Sequence, residues 1–109
     1  MSSSSGLSKE NVYIPVTDIL AGTNLSTSTV QIAFTAIGDE PESGDWKTAA
    51  WYTDSTRSPH RYYAYTLVSG TGNGGTIAKD AGTYDVWLKI SDLGSEILVE
   101  KAAARHTIT

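Results

Sequence analysis

The sequence predicts an all-β protein, an antiparallel sandwich of about seven short strands built around one core. Three observations carry this. Apolar residues recur at every second position in several segments, most clearly in "TVQIAFTAI" and "TYDVWLKI". Gly, Pro, Asn, Asp and Ser punctuate the chain about every 8–12 residues, the turn spacing of a sandwich. No segment carries the helical period over three or more turns. With 109 residues there is chain for one domain, and with no cysteine there is no disulfide or thiolate metal site.

Each element follows from local chemistry. Residues 1–10 open with a Ser-rich stretch, predicted as an arm that is flexible or ordered by a partner. Residues 11–109 form the sandwich. "NVYIPV" places Val12, Ile14 and Val16 on one face, and Pro15 removes a donor, which suits an edge strand. "TDILAGTNLSTST" is a connection. "TVQIAFTAI" sets Val30, Ile32, Phe34 and Ala36 on one face as a central strand. "GDEPESGD" is an acidic turn, and "WKTAAWYTD" is expected as one strand carrying Trp46 and Trp51. "RYYAYTLV" is rich in strand formers, with Tyr63 and Tyr65 on one face and Tyr62 on the other. "TYDVWLKI" turns Tyr84, Val86, Leu88 and Ile90 inward and Thr83, Asp85, Trp87 and Lys89 outward. "EILVEK" and "RHTIT" are expected as one final strand bent at "AAA".

Charge and composition exclude several functions. The net charge is −4, and the eight Lys and Arg are scattered singly. A nucleic-acid binder needs a basic patch, so no direct nucleic-acid contact is expected. "MSSSSGLSKE" has no apolar stretch of the kind that marks a secretion signal, and no apolar run is long enough for a membrane helix. Asp39, Glu40, Glu42 and Asp45 crowd the acidic turn, yet their spacing matches no calcium loop, and a solvated turn is expected. His60 and His106 stand apart from any nucleophile motif. Neither a catalytic residue nor a metal nor a cofactor is expected, and the chain is expected not to be an enzyme.

"GTGNGG", Gly70 to Gly75, matches G-x-G-x-x-G, the phosphate-binding turn of dinucleotide folds. That turn works because a helix follows and aims its N-terminus at the phosphate. Here "TIAKDAGTY" follows, with no helical period. The loop is therefore expected as a flexible connection between strands, with Asn73-Gly74 as its turn.

"DAGTYDV" is more specific. Asp80, Gly82, Tyr84 and Val86 stand at alternate positions. The pattern resembles the tyrosine corner of immunoglobulin-like domains, with Val86 where those have cysteine. The resemblance implies an immunoglobulin-like sandwich over about Tyr13 to Thr109. It implies that Ile32 or Phe34 stands at the partner cysteine's position on strand B, and that Trp51 is the core tryptophan of strand C, with Trp46 as its rival. The combination of "PVTDILAGTNLSTSTVQIAFTAIGDEPESGDWKTAAWY", "AGTYDVWLKISD" and "EILVEKAAARHTIT" also resembles small virion proteins of tailed actinobacteriophages. One departure is Ser95, where those proteins often carry proline. The resemblance implies a virion structural protein assembled in the host cytoplasm. Its partners would be the major capsid protein or other virion subunits, with a homo-oligomer compatible. Capsid decoration, a head–tail connector and a tail component all fit.

The candidate interface residues are Ser2, Ser3, Ser4, Ser5 and Leu7 of the arm, and the outward aromatics Tyr63, Tyr65 and Trp87. Tyr and Trp are favoured at protein interfaces. The same three aromatics are the stacking platform expected under the alternative reading, a carbohydrate-binding or adhesion module that takes a host-surface glycan. Ordinary cross-strand pairing on a sheet surface is the plain alternative to both.

Overall fold

The computed structural model describes residues 2–16, 28–54, 56, 61–93, 96–102 and 105–109. Met1, the connection 17–27, His60 and Ser95 lie outside the described residues. The strands in chain order are β1 (Ser2–Ser4), β2 (Glu10–Val16), β3 (Thr29–Ala36), β4 (Lys47–Thr48), β5 (Ala50–Asp54), β6 (Arg61–Gly70), β7 (Ile77–Lys79), β8 (Gly82–Leu93), β9 (Glu96–Lys101) and β10 (His106–Ile108). They form two sheets. The six-stranded sheet runs β1-β10-β8-β3-β4, with β9 also on β8; the four-stranded sheet runs β2-β6-β5, with β7 also on β6. The pairs are antiparallel except β1 with β10 and β6 with β7. The molecule is an immunoglobulin-like antiparallel β-sandwich without a disulfide.

The alternation that predicted the strands also builds the core. Val30, Ile32 and Phe34 of β3, and Val86, Leu88 and Ile90 of β8, are buried against Val12, Ile14, Ala64, Val68 and Ile77 of the other sheet. Burying each large apolar side chain contributes about 1.5–3 kcal/mol. Pro15 lies in β2 at the edge of its sheet, where a missing donor costs no ladder bond. β9 and β10 both lie on the side of β8 away from β3, so the last strand is a single line interrupted near Ala102. Ala102 holds that line by donating its N–H to the Val86 carbonyl at 2.8 Å.

Two expectations are corrected. "WKTAAWYTD" is two strands in different sheets: β4 pairs with β3, and β5 pairs with β6. The chain crosses between sheets at Ala49, whose N–H donates to the Val30 carbonyl at 3.0 Å. Phe34 and Ile32 do not face Val86 from the opposite sheet. β3 and β8 are neighbours in one sheet, with Phe34 paired to Val86 and Ile32 to Leu88. The residues of the opposite sheet that meet this layer include Val12 and Ile14 of β2.

The glycine loop is a connection between β6 and β7, with no helix after it. Its amides are directed into the fold. Thr71 donates to the Lys79 carbonyl and Asn73 to the Gly70 carbonyl, both at 3.1 Å, and Gly75 donates to Ser69 Oγ at 2.9 Å. The hydrogen-bonded turn thus spans Gly70 to Asn73, two residues earlier than a turn centred on Asn73-Gly74, with Gly72 at φ +81° as its third residue. Glycine is also required at position 75, because a Cβ there would come within 2.7 Å of the Ser69 nitrogen.

Candidate binding faces

The Ser-rich segment is built into the domain. β1 lies parallel along β10, with Ser2 beside His106, Ser3 beside Thr107 and Ser4 beside Ile108. Gly6 then takes the chain across to the other sheet. It donates to the Thr109 carbonyl at 2.8 Å, while its own carbonyl accepts from the Gly70 N–H at 3.0 Å and from the Asn73 side-chain amide. The glycine loop therefore clasps the base of the N-terminal strand. Ser5 is half-buried and closes the turn through its Oγ, which accepts the Leu7 N–H at 3.2 Å. Leu7 is 91% exposed, so its apolar side chain stands in solvent beside that edge.

Tyr84 opens β8, and its hydroxyl donates to the Asp80 carbonyl at 2.6 Å. This is the hydrogen bond of a tyrosine corner, closed four residues back along the chain. Burial, and then the Asp80 charge, push the phenol of Tyr84 above its ordinary pKa. Gly82 lies beneath the ring, and Phe34 stacks against it at 6.1 Å. Trp51 sits on β5, half-buried against the core, and its Nε1 donates to the Ser28 carbonyl at 2.8 Å. It seals the sandwich from an outer strand of the four-stranded sheet instead of standing at its centre.

The outer face of the six-stranded sheet is closed around Asp85, while farther along it Val99, paired with Lys89, is 49% exposed. Asp85 points outward by alternation, yet it is only 1% exposed. Its Oδ2 accepts the Gly38 N–H at 3.0 Å and lies 3.4 Å from Lys101 Nζ; its Oδ1 accepts from Arg105 Nε at 2.9 Å. Gly38 and Arg105, aided by Lys101 and opposed by burial, hold its carboxyl down at about 2. Trp87 is drawn into the same assembly. Its Nε1 donates to Thr35 Oγ1 at 3.1 Å, Thr35 donates in turn to the Asp39 carbonyl, and Lys101 lies 5.8 Å from the indole centroid. Lys89 of β8 lies 4.7 Å from the ring of Trp46, the residue just before β4.

The outer face of the four-stranded sheet is different. Tyr13 pairs with Tyr65 across β2 and β6, and Tyr52 pairs with Tyr63 across β5 and β6. The rings form a continuous row. Tyr63 and Tyr52 are 5.9 Å apart, Tyr52 and Tyr13 are 5.9 Å apart edge to face, and Tyr13 and Tyr65 are 5.1 Å apart. Tyr13 and Tyr52, in the middle, are each 51% exposed. Pro15 and Ala50 occupy neighbouring outward positions beside Tyr63 and Tyr65. The sequence pointed to Tyr63 and Tyr65 but missed Tyr13 and Tyr52. The signal was present, since each alternates outward on its own strand. It grouped Trp87 with the tyrosines, but Trp87 lies on the other sheet and cannot join their row.

The acidic turn forms an open depression of about 390 Å³ lined in part by Asp39, Glu40, Glu42, Asp45 and Lys79. Asp45 turns back to accept the Glu42 N–H at 2.8 Å, so its carboxylate closes a short 3-10 turn. Among the described residues no group of three or more His, Cys, Asp or Glu is placed to hold a metal ion. No helix of the described residues is long and apolar enough to cross a membrane.

Compared with known proteins, the chain matches no family model, no curated relative and no solved structure at a significant level.

Proposed function

We propose that this chain is a non-enzymatic structural component of a tailed-phage particle, a capsid decoration or minor capsid protein that docks on the major capsid lattice. The observation that supports it is the sheet edge formed by β1. Ser2–Ser4 form the outermost strand of the six-stranded sheet, and Leu7 stands exposed beside them. An edge strand presents unpaired backbone groups to a neighbour, and an adjacent apolar side chain supplies an anchor. The "TIT" ending that resembles virion proteins overlaps β10, the strand that carries β1. On a repeating lattice even modest contacts gain avidity when the protein is itself multimeric.

The test is to locate the protein on intact particles by electron microscopy, and to compare wild type with a Ser3→Pro, Leu7→Asp variant. Density on the capsid shell that is lost in the variant supports the reading. Density at the neck or tail moves the role to a connector or tail component. Absence from particles refutes it.

A further inference from the structure

We infer that the tyrosine row on the four-stranded sheet is a binding platform for a neutral, hydroxyl-rich glycan. The site is separate from the proposed docking edge, which belongs to the other sheet.

The composition of the face comes first. Its rings are all tyrosine, so each pairs an apolar ring face with a hydroxyl. Among the described residues none of the hydroxyls of Tyr13, Tyr52, Tyr63 or Tyr65 is engaged by a protein partner. A sugar ring offers the complement, a patch of C–H groups bordered by hydroxyls. Stacking on the rings and hydrogen bonding to the phenols would proceed together.

The charge of the face selects among ligands that stack. Nucleic-acid bases also stack on aromatic rows, but their backbone requires a cationic groove. Pro15 and Ala50, paired with Tyr63 and Tyr65, are uncharged; beyond Tyr52 and Tyr63 the register sets Asp54 opposite Arg61, two charges of opposite sign, and the chain as a whole is negative. Polyanions are therefore disfavoured. On the opposite sheet Lys101 and Arg105 are engaged by Asp85, and Lys89 lies over the Trp46 ring.

The size of the face separates a glycan from a second protein. Five residues along each of three strands cover roughly 240 Å², from the ordinary strand rise and spacing. A stable protein interface needs about 800 Å² on each partner. The tyrosine face alone falls well short of a dimer interface, while a few sugar units match it. The rings are also contiguous, stepping from β5 across β6 to β2 with centroid distances between 5.1 and 5.9 Å, so successive sugar rings meet an aromatic edge or face without a gap.

The experiment is affinity electrophoresis of the full chain in gels containing amylose, laminarin, a galactan or a mannan, with dextran sulfate as the charged control. The expected result is retardation by at least one uncharged polysaccharide. Retardation should weaken about tenfold or more in Tyr13→Ala, Tyr52→Ala, as at other aromatic stacking platforms. It should weaken less in Tyr13→Phe, Tyr52→Phe, which keeps the rings and loses two hydroxyls, and be unchanged in Trp87→Phe on the other sheet. Circular dichroism and Tm confirm that each variant is folded. Retardation by none of the uncharged polysaccharides, by dextran sulfate alone, or equally in the alanine variant overturns the inference. So does loss of particle attachment in the alanine variant, which would make the face a protein contact. The Ser3→Pro, Leu7→Asp variant keeps the two proposals apart: it should bind polysaccharide normally whatever it does on the particle.

Discussion

The two outer faces of this sandwich follow the same alternation and reach opposite outcomes. On the six-stranded sheet an outward aspartate is buried beneath Arg105, Lys101 and the Gly38 turn, with Trp87 beside it. On the four-stranded sheet the outward residues are tyrosines, and the middle pair keeps half its surface in solvent. The difference lies in what covers each sheet. The Gly38 N–H, Lys101 and Arg105 converge on Asp85 on the first face and supply donors. The second face has tyrosines paired across neighbouring strands, which stabilise the sheet by about 0.2–1 kcal/mol per pair without sealing it. The centre of one face, around Asp85, is spent on stability, and the tyrosine row of the other is left available.

That contrast can be broken at its strongest point by Asp85→Ala. The change leaves the Gly38 N–H without its acceptor and two cations without their anion. Tm should fall by about 8 °C or more, the scale of losing hydrogen bonds to a charged acceptor in a domain of this size, with the half-exposed Lys101 and Arg105 turning to solvent. Asp85→Asn keeps the shape and separates the role of charge from that of hydrogen bonding. A Tm within about 2 °C of wild type for Asp85→Ala would mean that the network does not hold the face closed.

Next in size is Tyr84→Phe, which removes only the hydroxyl that donates to Asp80. One hydrogen bond contributes about 0.5–1.5 kcal/mol, so thermal unfolding should move down by several degrees. Denaturant titration should show a lower midpoint with an unchanged slope.

The pH dependence of stability should show two limbs. Burial holds the folded pKa of His106 below its ordinary value, with the Glu10 charge opposing. The unfolded chain therefore takes up a proton first as pH falls below about 6.5, and stability drops there. Asp85 has its folded pKa held near 2, so its contribution is full above the unfolded value of about 4 and is lost as pH falls toward 2. In Tm measured from pH 8 to 2, His106→Gln should flatten the upper limb and Asp85→Asn should reduce the lower one. A wild-type Tm constant from pH 8 to 5 would contradict the assigned burial of His106.

The smallest stability effect is expected where the proposed binding effect is largest. Tyr13→Ala and Tyr52→Ala each remove a half-exposed ring and should cost less than about 1 kcal/mol. A larger loss in chemical denaturation would place these rings in the structural frame of the sheet.

Much of the fold was legible because alternation is a local property. The inward series Val30, Ile32, Phe34 and Val86, Leu88, Ile90 follows from the sequence, as does the edge character of the Pro15 strand. Strand order is not local. Nothing in "TVQIAFTAI" says that Phe34 will lie beside Val86 in the same sheet instead of across the core. The split of "WKTAAWYTD" was hidden for a related reason: Ala49 is unremarkable in sequence, yet the crossing between sheets takes place there. The candidate site was half legible. Outward placement of Tyr63, Tyr65 and Trp87 is a matter of parity, but parity does not say which sheet a residue faces out from. Tyr13 and Tyr52 meet the other two tyrosines only because β2 and β5 flank β6. Asp85 was misleading in the opposite sense, since a charged outward residue is expected in water. It is buried because three separate segments converge on it.

Nitration of the folded protein by tetranitromethane, followed residue by residue by mass spectrometry, tests the contrast between an open and a closed face most directly. Tyr13 and Tyr52 should be modified first, Tyr63 and Tyr65 more slowly, and Tyr84 last, because its hydroxyl is bonded and its ring packs on Phe34. Protection of Tyr13 and Tyr52 as complete as that of Tyr84 would contradict the account, since the tyrosine face would then be covered.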